Sequence, residues 1–183
     1  MTSASQLTDY AGRSGSYVIR VNGTISLSSM TKVTSNKTII GVGTAGRITG
    51  YGLNVNRANN VVIRNLTFTD GTVQRNPRVR FGTPVHVLNN YYDGNSGYGV
   101  ASTFNAGVLV EKNYFQDVEH PTVVQTGDSP EGNLRLADNY LTGSGTAESR
   151  NASSVPNVPH SYSADAASNV KSIVTAGAGV GKI

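Results

Sequence analysis

The feature that most restricts the fold of this chain is a repeat with a period of about 23 residues. Four segments share a pattern of alternating apolar residues, an asparagine, and then aromatic or aliphatic residues. The asparagines are Asn65, Asn90, Asn113 and Asn139, which lie 25, 23 and 26 residues apart. A weaker copy at residues 38–42 precedes them. Such a fixed period is typical of architectures in which each repeat stacks on its neighbours.

The alternation predicts short strands with one buried face. No convincing amphipathic helix occurs between the copies, so alternating strands and helices are disfavoured. We therefore predict an all-β fold, a right-handed parallel β-helix, in which each strand pairs with the next coil. The four asparagines are predicted to form an amide ladder at a sharp turn, beside a stack of Leu66, Tyr91, Tyr114 and Tyr140. The alternative is that they lie in unrelated turns.

The chain is predicted to be a single domain with two differently built ends. Residues 17–145 contain the coils, residues 1–16 an N-terminal cap, and residues 146–183 a tail packed on the outside of the β-helix. A solenoid needs caps because its ends otherwise expose apolar layers and unpaired strand edges. Ser3 followed by Gln6 matches a capping box and predicts a short N-terminal helix. In the otherwise irregular tail, a helical turn is expected at residues 165–170.

Composition restricts the class of partner only weakly. The formal net charge is +4, only 14% of the residues are charged, and there is no cysteine. Disulfides and thiol chemistry are therefore excluded. A basic excess favours a polyanion, either nucleic acid or an acidic polysaccharide, unless the surface is basic by chance. No apolar run is long enough for a membrane-spanning helix, and the first residues lack the pattern of a signal peptide.

Several strings resemble the pectate and pectin lyases of polysaccharide lyase family one. The most specific is QRNPRVRFG, in which Arg75, Pro77 and Arg80 match the family's Arg-x-Pro-x-x-Arg motif. The resemblance implies a secreted, monomeric enzyme that acts on polygalacturonate with calcium, without nucleic-acid or membrane partners. The other strings are YVIRVNGTISL (17–27), SNKTIIGVG (35–43), NVVIRNLTF (60–68), NAGVLVEKNYF (105–115) and VEHPTV (118–123).

The resemblance also implies roles for the arginines. Arg75 would be the base, Arg80 would hold a substrate carboxylate, and Arg78 would assist in binding. Strand alternation predicts that Val79 and Phe81 face the core, which turns Arg78 and Arg80 outward. The alternative is three solvated arginines on an exposed strand.

The chain departs from the family in the segment before this motif. In the family, several coils that carry calcium-binding acids and a substrate-binding lysine precede the arginine motif. Here only residues 69–74 separate Phe68 from Arg75. Because the coils end alike, a cut between equivalent points removes whole coils and preserves the stacking. The chain is therefore interpreted as a lyase without its central coils, whether by design or by natural shortening.

Calcium is expected from the resemblance, but its protein ligands are predicted to be missing. The ion takes about six to eight oxygens, usually with several converging carboxylates. No Asp-x-Asp pair occurs, and Asp70, Asp93 and Asp117 are interpreted as solvated turn acids that could lie near one another. No metal site is identified. His86, on the outward side of a strand, is predicted to be a surface or hydrogen-bonded residue.

Three functions remain open at this point. The first is a pectate lyase with weak activity or none. The second is a catalytically silent β-helix scaffold. The third is a polyanion-binding module that uses the arginine strand without chemistry.

Overall fold

The computed structural model describes residues 1–69 and 76–176 and confirms the parallel β-helix. In the described residues, strands from successive coils line up as three parallel sheets. Sheet A contains β1 (Tyr17–Val21), β4 (Lys37–Gly41), β7 (Val61–Arg64), β10 (Val85–Leu88), β13 (Gly107–Glu111) and β16 (Asn133–Ala137). Sheet B contains β2 (Thr24–Leu27), β5 (Arg47–Gly50), β8 (Thr67–Thr69), β11 (Tyr91–Asp93), β14 (Tyr114–Gln116) and β17 (Tyr140–Thr142). Sheet C contains β3 (Thr31–Val33), β6 (Leu53–Asn56), β9 (Arg78–Arg80), β12 (Tyr98–Thr103) and β15 (His120–Val123).

The core is a set of columns that run along the inside of the coils. In sheet A, the register places Ile19, Ile39, Ile63, Val87 and Val110 next to one another, and all five are fully buried. Burying each such side chain contributes roughly 1.5–3 kcal/mol. Because an inward residue meets its equivalent one coil away, a similar sequence in every coil is enough to fill the interior.

The amide ladder links Asn90, Asn113 and Asn139, and Asn65 is not part of it. The Asn90 amide donates to Asn113 Oδ1 at 3.1 Å, and that of Asn113 donates to Asn139 Oδ1 at 3.0 Å. The pairing of Leu88 with Arg64 places Asn89, not Asn90, next to Asn65. The prediction for Asn65 was therefore wrong by one position. Leu66 takes the equivalent place in the earlier coil, where its backbone N–H donates to Asn90 Oδ1.

Asn65 has a different role, because it occupies the turn position just before the ladder. There the backbone is left-handed, with φ of 55° at Asn65, 50° at Asn89, 48° at Lys112 and 49° at Asp138. Asparagine and aspartate tolerate this conformation better than most residues. The sharp turn between sheets A and B thus uses two consecutive positions, of which only the second forms the ladder.

The predicted stack beside the ladder is correct for its tyrosines but not for Leu66. The rings of Tyr91 and Tyr114 lie 5.6 Å apart, and those of Tyr114 and Tyr140 lie 4.9 Å apart. Tyr91 pairs with Thr67, so Leu66 falls one residue out of this column. A second aromatic column fills the interior, with Tyr92 stacked on Phe68 at 5.2 Å and on Phe115 at 4.6 Å.

Helices lie at both ends of the described chain. Helix α1 (Ala4–Gly12) begins as predicted, with the Ser3 side chain accepting from the Gln6 N–H, and it buries Leu7. Helix α2 (Ala167–Ala176) is longer than the predicted turn and packs Val170 and Val174 on sheet B. Short 3-10 turns lie at Gly43–Ala45 and Ala152–Ser154. Within the described ranges, no helix has the length and apolar character needed to cross a membrane.

Candidate functional site

Strand β9 carries Arg78 and Arg80 on the outer face of sheet C. Val79 between them is fully buried, and both arginines are half-buried. Phe81 does not share the core face with Val79, because the strand ends at Arg80 and Phe81 has a left-handed φ of 60°. Phe81 is 42% exposed. The prediction for Phe81 was therefore wrong, since alternation holds only as far as the strand continues.

Two asparagines of the preceding coil lie beside these arginines. Asn54 pairs in register with Arg78, and Asn56 with Arg80. The Oδ1 atoms of both asparagines and Nε of Arg80 are buried without hydrogen-bond partners among the described residues. Buried polar groups are nearly always hydrogen-bonded in folded proteins. The outer face of sheet C thus offers donors and acceptors that a bound ligand would satisfy.

 The site on this face is a cavity of about 250 Å³ with a cationic lining. Its lining residues are Met30, Asn54, Arg78 and Arg80. Among the described residues that line it there is no carboxylate, so the cavity is suited to an anion.

Aromatic rings hold one of the two guanidinium groups. The Arg80 guanidinium lies 4.4 Å from the ring centre of Phe104, and the rings of Phe81 and Phe104 are 4.7 Å apart. The Arg57 guanidinium lies 5.0 Å from the ring centre of Phe81. Arg78 is held differently, because it donates to Ser129 Oγ at 2.6 Å. Cation–π contacts position Arg80 without neutralising its charge.

Two of the predicted site residues, Arg75 and Asp70, lie outside the described residues. Asp93 and Asp117 lie where β11 and β14 leave sheet B, whereas Arg78 and Arg80 lie on sheet C. The structure thus brings Arg78 and Arg80 together on one face and does not place these two acids on it.

The lining of the cavity does not fit calcium. It offers an amide oxygen from Asn54 and two cations, whereas the ion takes about six to eight oxygens that usually include several carboxylates. The described ranges also contain no group of three His, Cys, Asp or Glu side chains that could hold a metal.

Sequence reasoning missed a cluster on the outer face of sheet A. His86 is only 1% exposed, and its Nε2 lies 3.0 Å from Glu111 Oε2. Tyr162 of the tail donates to the same oxygen at 2.6 Å, which raises the pKa of Tyr162 to about 12. His160 completes the cluster, with its ring 5.7 Å from that of His86. Strand alternation correctly predicted that His86 points outward, but no sequence pattern showed that the tail covers it.

Burial gives His86 a predictable effect on stability. Loss of solvation lowers the pKa of His86, an effect partly opposed by the hydrogen bond to Glu111 and reinforced by His160 and Arg64. Above the ordinary pKa of about 6.5, both folded and unfolded chains hold the neutral ring. As the pH falls below this value, the unfolded chain binds the proton first, so we expect stability to fall towards pH 5.

The measurement is urea unfolding between pH 7.5 and pH 5. His86→Gln is expected to flatten the fall in stability, which for one proton is at most about 1.4 kcal/mol per pH unit. His120→Gln is the control, because His120 is exposed. Equal pH dependence in the wild type and His86→Gln would contradict this account.

Comparison with known proteins gives consistent similarities. A family model described as pectate lyase matches residues 15–73 and 70–183. A pectate trisaccharide-lyase of Bacillus licheniformis is 27% identical over 256 residues, covering 90% of this chain and 74% of the relative. A pectate lyase of Bacillus subtilis is 37% identical over 123 residues, covering 61% of this chain and 29% of the relative.

Solved structures show the same fold. A pectate lyase variant from Xanthomonas campestris has a TM-score of 0.63 at 20% identity, covering 90% of this chain and 69% of that one. Jun a 1, the major allergen from cedar pollen, has a TM-score of 0.51 at 16% identity, covering 92% of this chain and 82% of that one.

Proposed function

Because the chain belongs to the pectate lyase family, we propose that Arg78 and Arg80 bind carboxylates of polygalacturonate on the outer face of sheet C. The observation that carries the proposal is the pair of half-buried arginines beside a cavity whose described lining has no carboxylate. A guanidinium group suits this ligand because its planar donors match a carboxylate in a bidentate fashion.

The proposed reaction is a β-elimination with Arg75 as the base. The base removes the C5 proton of a galacturonate, the electron pair forms a C4–C5 double bond, and the bond to O4 breaks. The leaving O4 then takes up a proton from solvent. Arginine ordinarily has a pKa above about 12, so it needs nearby cations that favour its neutral form. Arg78 and Arg80 follow closely in the sequence and are the proposed source of that effect.

The reaction is proposed to be slow because the central coils of the relatives are missing. The two matches to the family model meet at residues 70–73, between the segments that contain β8 and β9. The alignment with the Bacillus licheniformis relative also runs over more positions than this whole chain contains. The register between β7 and β10 is nevertheless regular. Since the cavity lining does not fit calcium, no step is assigned to that ion.

A second candidate function is binding of polygalacturonate outside the cell without turnover. The observation that favours it is the same lining, which has arginines to hold the polymer but, among the described residues, no carboxylate to recruit a metal. Electrostatic stabilisation is usually the largest single contribution to catalysis, so its loss would affect the reaction more than binding.

The test is an assay of the unsaturated product from polygalacturonate, with calcium and then with a chelator. We expect slow product formation at the same rate in both conditions. Arg75→Ala is expected to lower that rate by about 100-fold or more, the usual range for loss of a general base. Arg47→Ala, on sheet B, is the control.

The outcomes separate the candidate functions. Binding of polygalacturonate without product in either condition would support the function of a binding module. A rate unchanged by Arg75→Ala would contradict the proposed base. Absence of both binding and product would leave only a silent scaffold.

A further inference from the structure

The outer face of sheet A is only half covered by the tail. In register along this face lie Val18, Thr38, Val62 and His86. His86 is buried beneath the tail, whereas Val18 is 65% exposed. The edge of the tail, at residues 160–162, therefore forms a step across the sheet.

A cleft of about 440 Å³ lies along this step. Its floor is the uncovered part of sheet A, and one wall is the edge of the tail. The lining also contains Tyr17 and the turn residues Asn36 and Asn60, and the Asn60 amide donates to Asn36 Oδ1 at 3.0 Å. Two tyrosines, Tyr17 from the sheet and Tyr162 from the tail, line the cleft. The size lies within the range of roughly 300–1,000 Å³ that is usual for small-molecule sites.

Arg64 gives the cleft an unneutralised positive charge. Its Nε is buried and, among the described residues, has no hydrogen-bond partner. No acidic residue of the described chain lines the cleft. The acid of the cluster under the tail, Glu111, is already hydrogen-bonded to His86 and Tyr162. A half-buried guanidinium group without a carboxylate partner is suited to an anionic ligand.

We propose that this cleft binds a uronic sugar, with Arg64 contacting the carboxylate and Tyr17 and Tyr162 contacting the ring. The inference does not depend on the proposed function, because the cleft lies on sheet A and the arginine strand on sheet C. The polar groups of Asn36 and Asn60 provide hydrogen-bonding partners for sugar hydroxyls.

The test is a titration of the isotopically labelled protein with galacturonate, followed through its backbone amide resonances. We expect shifts at Val62, Arg64 and Ser161. Arg64→Gln is expected to weaken binding at least about tenfold, and galactose, which lacks the carboxylate, to bind at least about tenfold more weakly than galacturonate. Acetate is expected to be equally weak because it lacks the ring.

A second variant keeps the test decisive if Arg64→Gln fails to fold. Val18→Glu places a negative charge on an exposed position of the floor and is expected to abolish binding, whereas Val18→Gln is expected to retain it. The Arg78→Gln/Arg80→Gln protein is expected to show the same shifts in the cleft. Equal binding of galactose or acetate, or unchanged binding by Arg64→Gln, would overturn the proposal.

Discussion

Replacing Arg78 and Arg80 together by glutamine is expected to weaken polygalacturonate binding by about 100-fold or more. A hydrogen bond to a charged group contributes about 1.5–3 kcal/mol, and about 1.4 kcal/mol corresponds to a tenfold change in affinity. Neither side chain is needed for the core, because Val79 provides the buried contact of β9. The loss is therefore expected in binding and not in folding.

Binding of polygalacturonate is measured by calorimetry at fixed salt, since affinity for a polyanion depends on ionic strength. The matched control is Arg47→Gln/Lys112→Gln, which removes the same charge from other parts of the surface. Its affinity is expected to change only slightly. Equal losses in the two double variants would show that net charge, and not the arginine strand, determines binding.

Replacing Asn113 by alanine is expected to lower the free energy of unfolding by about 4 kcal/mol. The Asn113 amide is fully buried and donates to Val87 O at 2.9 Å and to Asn139 Oδ1 at 3.0 Å. Its Oδ1 accepts from the Asn90 N–H at 2.9 Å. Each buried group left without a partner costs about 1–3 kcal/mol, and the alanine leaves more than one.

Urea unfolding measures this loss, and Asn139→Ala is the matched comparison at the end of the ladder. Asn139 is only half-buried, so water can replace some of its hydrogen bonds, and we expect a smaller loss. A loss for Asn113→Ala no greater than that for Asn139→Ala would contradict the view that burial makes the ladder important.

The arginine site was partly predictable because strand alternation is a local property. Alternation correctly predicted that Arg78 and Arg80 point outward, since both lie within β9. It was wrong for Phe81, where a positive φ ends the strand. The neighbouring Asn54 and Asn56 were not identified, because their place beside the arginines depends on the register between coils.

The sequence by itself determined the repeating coils and most of the ladder. Alternating apolar residues and a regular asparagine are enough for this, because every coil meets a copy of itself. Tertiary structure decided the register that excludes Asn65 from the ladder, since Asn89 and Asn90 offer two adjacent asparagines. It also decided that His86 is buried while Val18 on the same face is exposed. The reason is physical: burial of an outward residue depends on which distant segment covers it, and the tail reaches only part of sheet A.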